Sequence, residues 1–159
     1  MPEQPTTQQK PPNQSKALGS GDESGADFAR ELLQGDPAFA INFDRLQYDP
    51  TEGRYIIFEF LLCEEKQAEH GITPFSSHPR RYWHKNKRKF LSLWKAAQKL
   101  EARLFLVNYA KKDTPHADEI LVIEVLDMDE NGISKEKVGR TNREKFAQWF
   151  REMNNRCAG

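Results

Sequence analysis

The chain lacks the means for covalent or metal scaffolding. Cys63 and Cys157 are its two cysteines, too few for a disulfide framework, and no CxxC pair is present for zinc or redox chemistry. A reducing, intracellular setting is expected. No apolar run reaches the length of a membrane span, and the first residues, MPEQPTTQQK, lack the apolar core of a signal peptide. The expectation is a soluble, cytoplasmic protein with no membrane partner. Net charge is missing too, because 24 Lys and Arg balance 24 Asp and Glu. The balance hides an asymmetry: residues 76–100 contain Lys and Arg throughout and no acid at all.

Residues 1–24 have little to bury, being rich in Pro, Gln, Ser and Gly, and are expected to form a disordered tail. Residues 25–159 are expected to form a single α/β (α+β) domain, a central mixed sheet of about four strands flanked by helices. The stretch SGADFARELLQGDP has a capping residue, Phe28, Leu32 and Leu33 at helical spacing, and a Gly35 stop before Pro37. Two strands joined by DPTEG follow, then a polar loop, a helix carrying Phe90, Leu93, Trp94, Ala97 and Leu100, and the strands RLFLVNYA and EILVIEVLDMDENG. Thr141 and Glu144 read as a capping box opening a last helix striped by Phe146, Trp149, Phe150 and Met153.

One residue breaks this pattern. In YIIFEFLLCEEK a lone acid, Glu59, sits inside an apolar strand, where burial costs several kcal/mol, roughly, unless the carboxylate is paired, protonated or bound to a cation. Tyr55, Ile57, Glu59, Leu61 and Cys63 share one face. If the turn holds residues 50–53, Asp44 falls opposite Glu59, and a slip of one residue undoes the pairing. Two acids on neighbouring strands, a third at Glu31 on the preceding helix and a basic helix behind suit Mg²⁺, a hard cation that prefers carboxylate and water oxygens. The plainer alternative is a structural ion pair between Glu59 and Arg45, Arg54 or a helix lysine, with Asp44 facing solvent.

FDRLQYDPTEGRYIIFEFL resembles the core of the PD-(D/E)XK nuclease superfamily, the restriction-endonuclease-like fold, over roughly residues 28–109. The resemblance implies a metal-dependent nuclease in which Asp44 and Glu59 hold Mg²⁺, the Phe60 carbonyl adds a ligand and Glu31 matches a helix acid of some members. Where the family motif carries its lysine, this chain has Leu61. Either Lys85, Lys87 or Lys89 reaches in from the helix, with Lys87 assigned as catalytic, or the chemistry is lost. The alternative to an enzyme is then a non-catalytic module of the same fold that binds nucleic acid or protein.

In HPRRYWHKNKRK, the cations Arg80, Arg81, Lys85, Lys87, Arg88 and Lys89 stand with His78 around Tyr82 and Trp83. This is a nucleic-acid pattern, with charges for phosphates and rings for bases or sugars. Against it stands an ordinary solvated helix face with Trp83 packed on the core. DMDENG imitates the start of a calcium loop, but Val138 holds the position of the closing Glu and a strand precedes it. The spacing of Cys63, His70, His78 and His84 matches no zinc pattern.

Overall fold

The computed structural model describes residues 24–158, so the tail expected over residues 1–24 lies, but for Ser24, outside the described residues. The chain divides between Ala40 and Ile41. On the N-terminal side, α1 (Ser24–Leu33) forms where its stripe predicts and stops at Gly35, whose φ of +95° suits the residue without a Cβ. Phe28 and Leu32 of that stripe are exposed.

Beyond Ile41 the protein is mixed α/β, with a five-stranded sheet in the order β1 to β5: β1 (Arg45–Asp49), β2 (Arg54–Leu62), β3 (Arg103–Tyr109), β4 (Ile120–Asp129) and β5 (Gly132–Thr141). β2 and β3 are parallel and the other neighbours antiparallel. The parallel pair requires a crossover, supplied by α2 (Glu65–Glu69), a 3₁₀ turn (Pro79–Tyr82) and α3 (Trp83–Lys99).

The hairpin forms in the anticipated register, with Arg45 opposite Phe58 and Asp49 opposite Arg54. Asp49 fixes it. Its carboxylate is buried, accepts from the N–H groups of Thr51 (2.9 Å) and Glu52 (3.4 Å), and pairs with Arg156 at 3.1 Å. Burial pushes the Asp49 carboxyl up, but the Thr51 N–H and the Arg156 guanidinium outweigh it and hold the group below the usual carboxylate range.

Alternation along the strands gives the sheet two apolar faces. On one, Ile57, Leu104, Leu106, Leu121, Ile123 and Val125 pack under Trp83, Phe90, Leu93 and Ala97 of α3. On the other, Ile56, Phe58, Phe105 and Val107 meet Phe146, Trp149, Phe150 and Met153 of α4 (Arg143–Arg156). The α4 stripe is as expected, but its cap is Asn142, whose side chain accepts from Lys145 N–H at 2.9 Å. Thr141 cannot cap because it is still paired with Ile120 in the sheet.

Two elements differ from expectation. The loop after β2 contains α2, and the sheet has a fifth strand where about four were expected. GISKEKVGRT has almost no apolar alternation because β5 is an edge strand, and edges are guarded by lysines. Among the described residues no helix is long and apolar enough to cross a membrane.

Candidate functional site

Asp44 lies one residue before β1, whose pairing with β2 begins at Arg45 opposite Phe58, and its charge is felt at Glu59. The Asp44 carboxylate accepts the Phe60 N–H at 2.7 Å, fixing this exposed acid against β2. Glu59 lies on the α3 side of the sheet with its side chain 3% exposed. Its Oε1 receives the ammonium of Lys89, while Oε2 is buried without a hydrogen-bond partner among the described residues. Burial pushes the Glu59 carboxyl above the ordinary glutamate range; the Lys89 ammonium pulls it back and the Asp44 carboxylate pushes it up again. Two carboxylates and one ammonium leave the cluster with a formal charge of minus one.

The lysine that reaches Glu59 is Lys89, where the sequence reading assigned Lys87. At 100° per residue the two differ by about 200° around α3 and leave on opposite flanks. Lys87 instead approaches Glu130 at 3.6 Å. Leu61, two residues beyond Glu59, joins the apolar cluster under α3. Glu31 is an exposed residue of α1, on the other side of the chain division.

The basic segment divides into residues that pin it and residues that face water. His78 is buried; its Nδ1 accepts from Arg80 N–H and its Nε2 lies 2.9 Å from Glu136. Trp83 is 5% exposed, stacks on Phe90 at 5.6 Å and donates Nε1–H to the Glu130 carbonyl at 3.1 Å. Both are therefore held by the fold, with little surface left to a ligand. Tyr82 is half-buried, tilts against Phe90, and has its phenol pushed up to about 12 by burial. Arg80, Arg81, Lys85 and Arg88 are exposed, and the first three make no ion pair among the described residues.

A residue absent from the sequence reading holds this segment in place. Asn108, buried on β3, donates its amide to the carbonyls of Pro74 (3.2 Å) and Ser77. Asn108→Asp removes both donors, and each stranded carbonyl costs about 1 to 3 kcal/mol. The expected result is a melting temperature lower by several degrees and faster amide exchange over residues 74–83. An unchanged melt would show that the anchor is dispensable.

The residues that could hold a small, hard cation are Glu59 and Asp44. Magnesium is commonly bound by one or two carboxylates and keeps several waters. Among the described residues no group of three or more His, Cys, Asp or Glu side chains surrounds a common point, so water or substrate oxygens would complete the shell. Comparison of the chain with known protein families, with curated proteins and with solved structures found no match.

Proposed function

We propose that this protein is a metal-dependent nuclease of PD-(D/E)XK type acting on nucleic-acid phosphodiesters, with the motif lysine supplied from α3. The observation that carries the reading is Glu59: a buried carboxylate beside a second carboxylate, with one oxygen on Lys89 and the other without a partner among the described residues. Glu119 also keeps a buried oxygen without a partner among the described residues, so what sets Glu59 apart is the second carboxylate, Asp44, whose charge it feels.

Asp44 and Glu59 would hold Mg²⁺, which when bound polarises the phosphate and acidifies its water. Asp44 is positioned for this by the Phe60 N–H. Lys89 takes the place that Leu61 leaves open, holding a positive charge against Glu59 where charge develops on the phosphate, and its half-exposed ammonium can exchange protons with solvent. Arg80, Arg81 and Lys85 hold the backbone through phosphate contacts without reading sequence.

Leu61 and the closed Lys89–Glu59 pair favour one competing reading, a non-catalytic module that binds nucleic acid or protein. The two part on metal. Thermal melts and incubation with DNA and RNA, in Mg²⁺ or Mn²⁺ against EDTA, should give a metal-dependent rise in melting temperature and metal-dependent cleavage. Absence of both would leave only binding.

Binding has its own test. Arg80→Ala/Arg81→Ala/Lys85→Ala should fold normally, weaken binding to every sequence, and flatten the log–log salt slope on duplex DNA by roughly 2 to 3, at about 0.9 per phosphate contact. An unaltered slope would remove these three residues from the interface.

A further inference from the structure

On the α3 side of the hairpin the cross-strand pairs run in a row. Leu46 stands opposite Ile57 and Tyr48 opposite Tyr55, and Asp44, just before β1, and Glu59 lie beyond them. Neighbouring positions in this row are about 6.8 Å apart along the strand, so Tyr55 lies about 14 Å from Glu59. Their rings meet edge to face with centroids 5.2 Å apart, and they are 45% and 38% exposed. Leu46 between them and the acids is exposed as well. β1 is the edge strand, and the apolar stripe of α3 packs on β2 to β4 and leaves these rings uncovered.

The other end of the row is cationic. Lys85 lies one helical turn before Lys89, the lysine on Glu59, on the same flank of α3. Along a single line the surface therefore offers cations, a carboxylate pair with a free buried oxygen, an aliphatic side chain and two exposed rings.

We infer that Tyr48 and Tyr55 form a base-stacking platform, and that the occupant of this face is a single-stranded nucleic acid whose backbone passes Lys85 and Lys89 over the acid pair. The inference rests on the nuclease reading and names its substrate class. Exposed rings beside a cationic track suit an unpaired base, which has a π-face to give whatever its identity. A duplex keeps its bases stacked inside and presents only edges and phosphates.

The test is fluorescence anisotropy of full-length Glu59→Gln protein, which cannot cleave, with a labelled oligothymidine and with a labelled duplex. Adding Tyr48→Leu/Tyr55→Leu keeps apolar bulk and removes the rings. Affinity for oligothymidine should fall roughly five- to a hundred-fold while duplex affinity is unchanged, and Tyr48→Phe/Tyr55→Phe should bind oligothymidine like the parent. The phenylalanine pair also guards against loss of fold, because it retains the packing.

Full oligothymidine affinity in the leucine pair overturns the platform, as does equal loss on both probes. Light scattering that shows a dimer broken by the leucine pair assigns the patch to a second copy of the chain and overturns it too. In any of these cases, metal-dependent cleavage of duplex by the otherwise wild-type protein leaves the nuclease reading standing. Failure of the parent to bind either probe removes both.

Discussion

Replacing Glu59 by Gln should leave the metal-free protein as stable as before or raise its melting temperature near neutral pH, while abolishing Mg²⁺-dependent stabilisation and all cleavage. Burial pushes the folded pKa of Glu59 above its unfolded value, so the folded protein binds the proton more tightly than the unfolded chain. Stability therefore falls as pH rises from the unfolded to the raised folded value. Gln does not titrate and escapes that loss. Each unit of the shift amounts to about 1.4 kcal/mol, and about 1 kcal/mol moves the melting temperature of a domain this size by roughly 3 to 6 °C. Lys89 is not stranded by the change, because its side chain is 45% exposed and can turn to water. The advantage of the variant should vanish in acid and reach a plateau above the raised value. Asp49 works in the opposite sense: its folded pKa is depressed, so its contribution is present above the unfolded value and is lost as pH falls through the folded one. A Glu59→Gln variant that melts many degrees early at neutral pH, with no metal shift in the parent, would make Glu59 a structural pair and remove the main support for a nuclease.

The hairpin was legible because DPTEG suits a turn over residues 50–53, with Gly53 at φ +65°; YIIFEFLL, apolar on both faces except at Glu59, does not fix the register by itself. The helices were legible where their stripes are apolar, as with Phe90, Leu93 and Ala97. What failed were the positions where tertiary contact overrides pattern. Trp83 stands among cations in sequence, yet its ring completes the core on Phe90. β5 carries the lysines of a guarded edge and so hides its period. Asn108 looks like one polar residue in an apolar strand, and its role depends on loop carbonyls 31 and 34 residues away. The choice between Lys87 and Lys89 was readable in principle. Placing Phe90 inward sends residue 89 to one flank and residue 87 to the other, but which flank meets β2 depends on how the crossover lies on the sheet.

Removal of Lys89 should have two separable effects. Lys89→Met leaves Glu59 buried beside Asp44 with no counter-charge, and the carboxyl can relieve this only by taking a proton. The variant should thus be less stable at neutral and alkaline pH by about 1 to 3 kcal/mol, under the roughly 3 to 5 kcal/mol of a fully buried pair because the Lys89 side chain is half in water. At pH low enough to protonate Glu59 the deficit should disappear. Adding Glu59→Gln removes the uncompensated charge, so the double variant should recover most of the lost stability, a non-additivity expected of two residues in contact. Cleavage should not recover. With Lys89 acting on the developing phosphate charge or on a proton, its loss should cost on the order of 10² to 10⁴ in rate, and restored stability cannot replace it. Lys87→Met, which disturbs only the exposed approach to Glu130, should retain cleavage. Should Lys89→Met keep full cleavage while Lys87→Met loses it, the catalytic cation would be Lys87 and the Lys89–Glu59 contact would be structural only. Should Lys89→Met lose cleavage only in proportion to the fraction unfolded, Lys89 would act through stability alone. The pH series on the single and double variants, read by melting and by rate on the same samples, separates these outcomes.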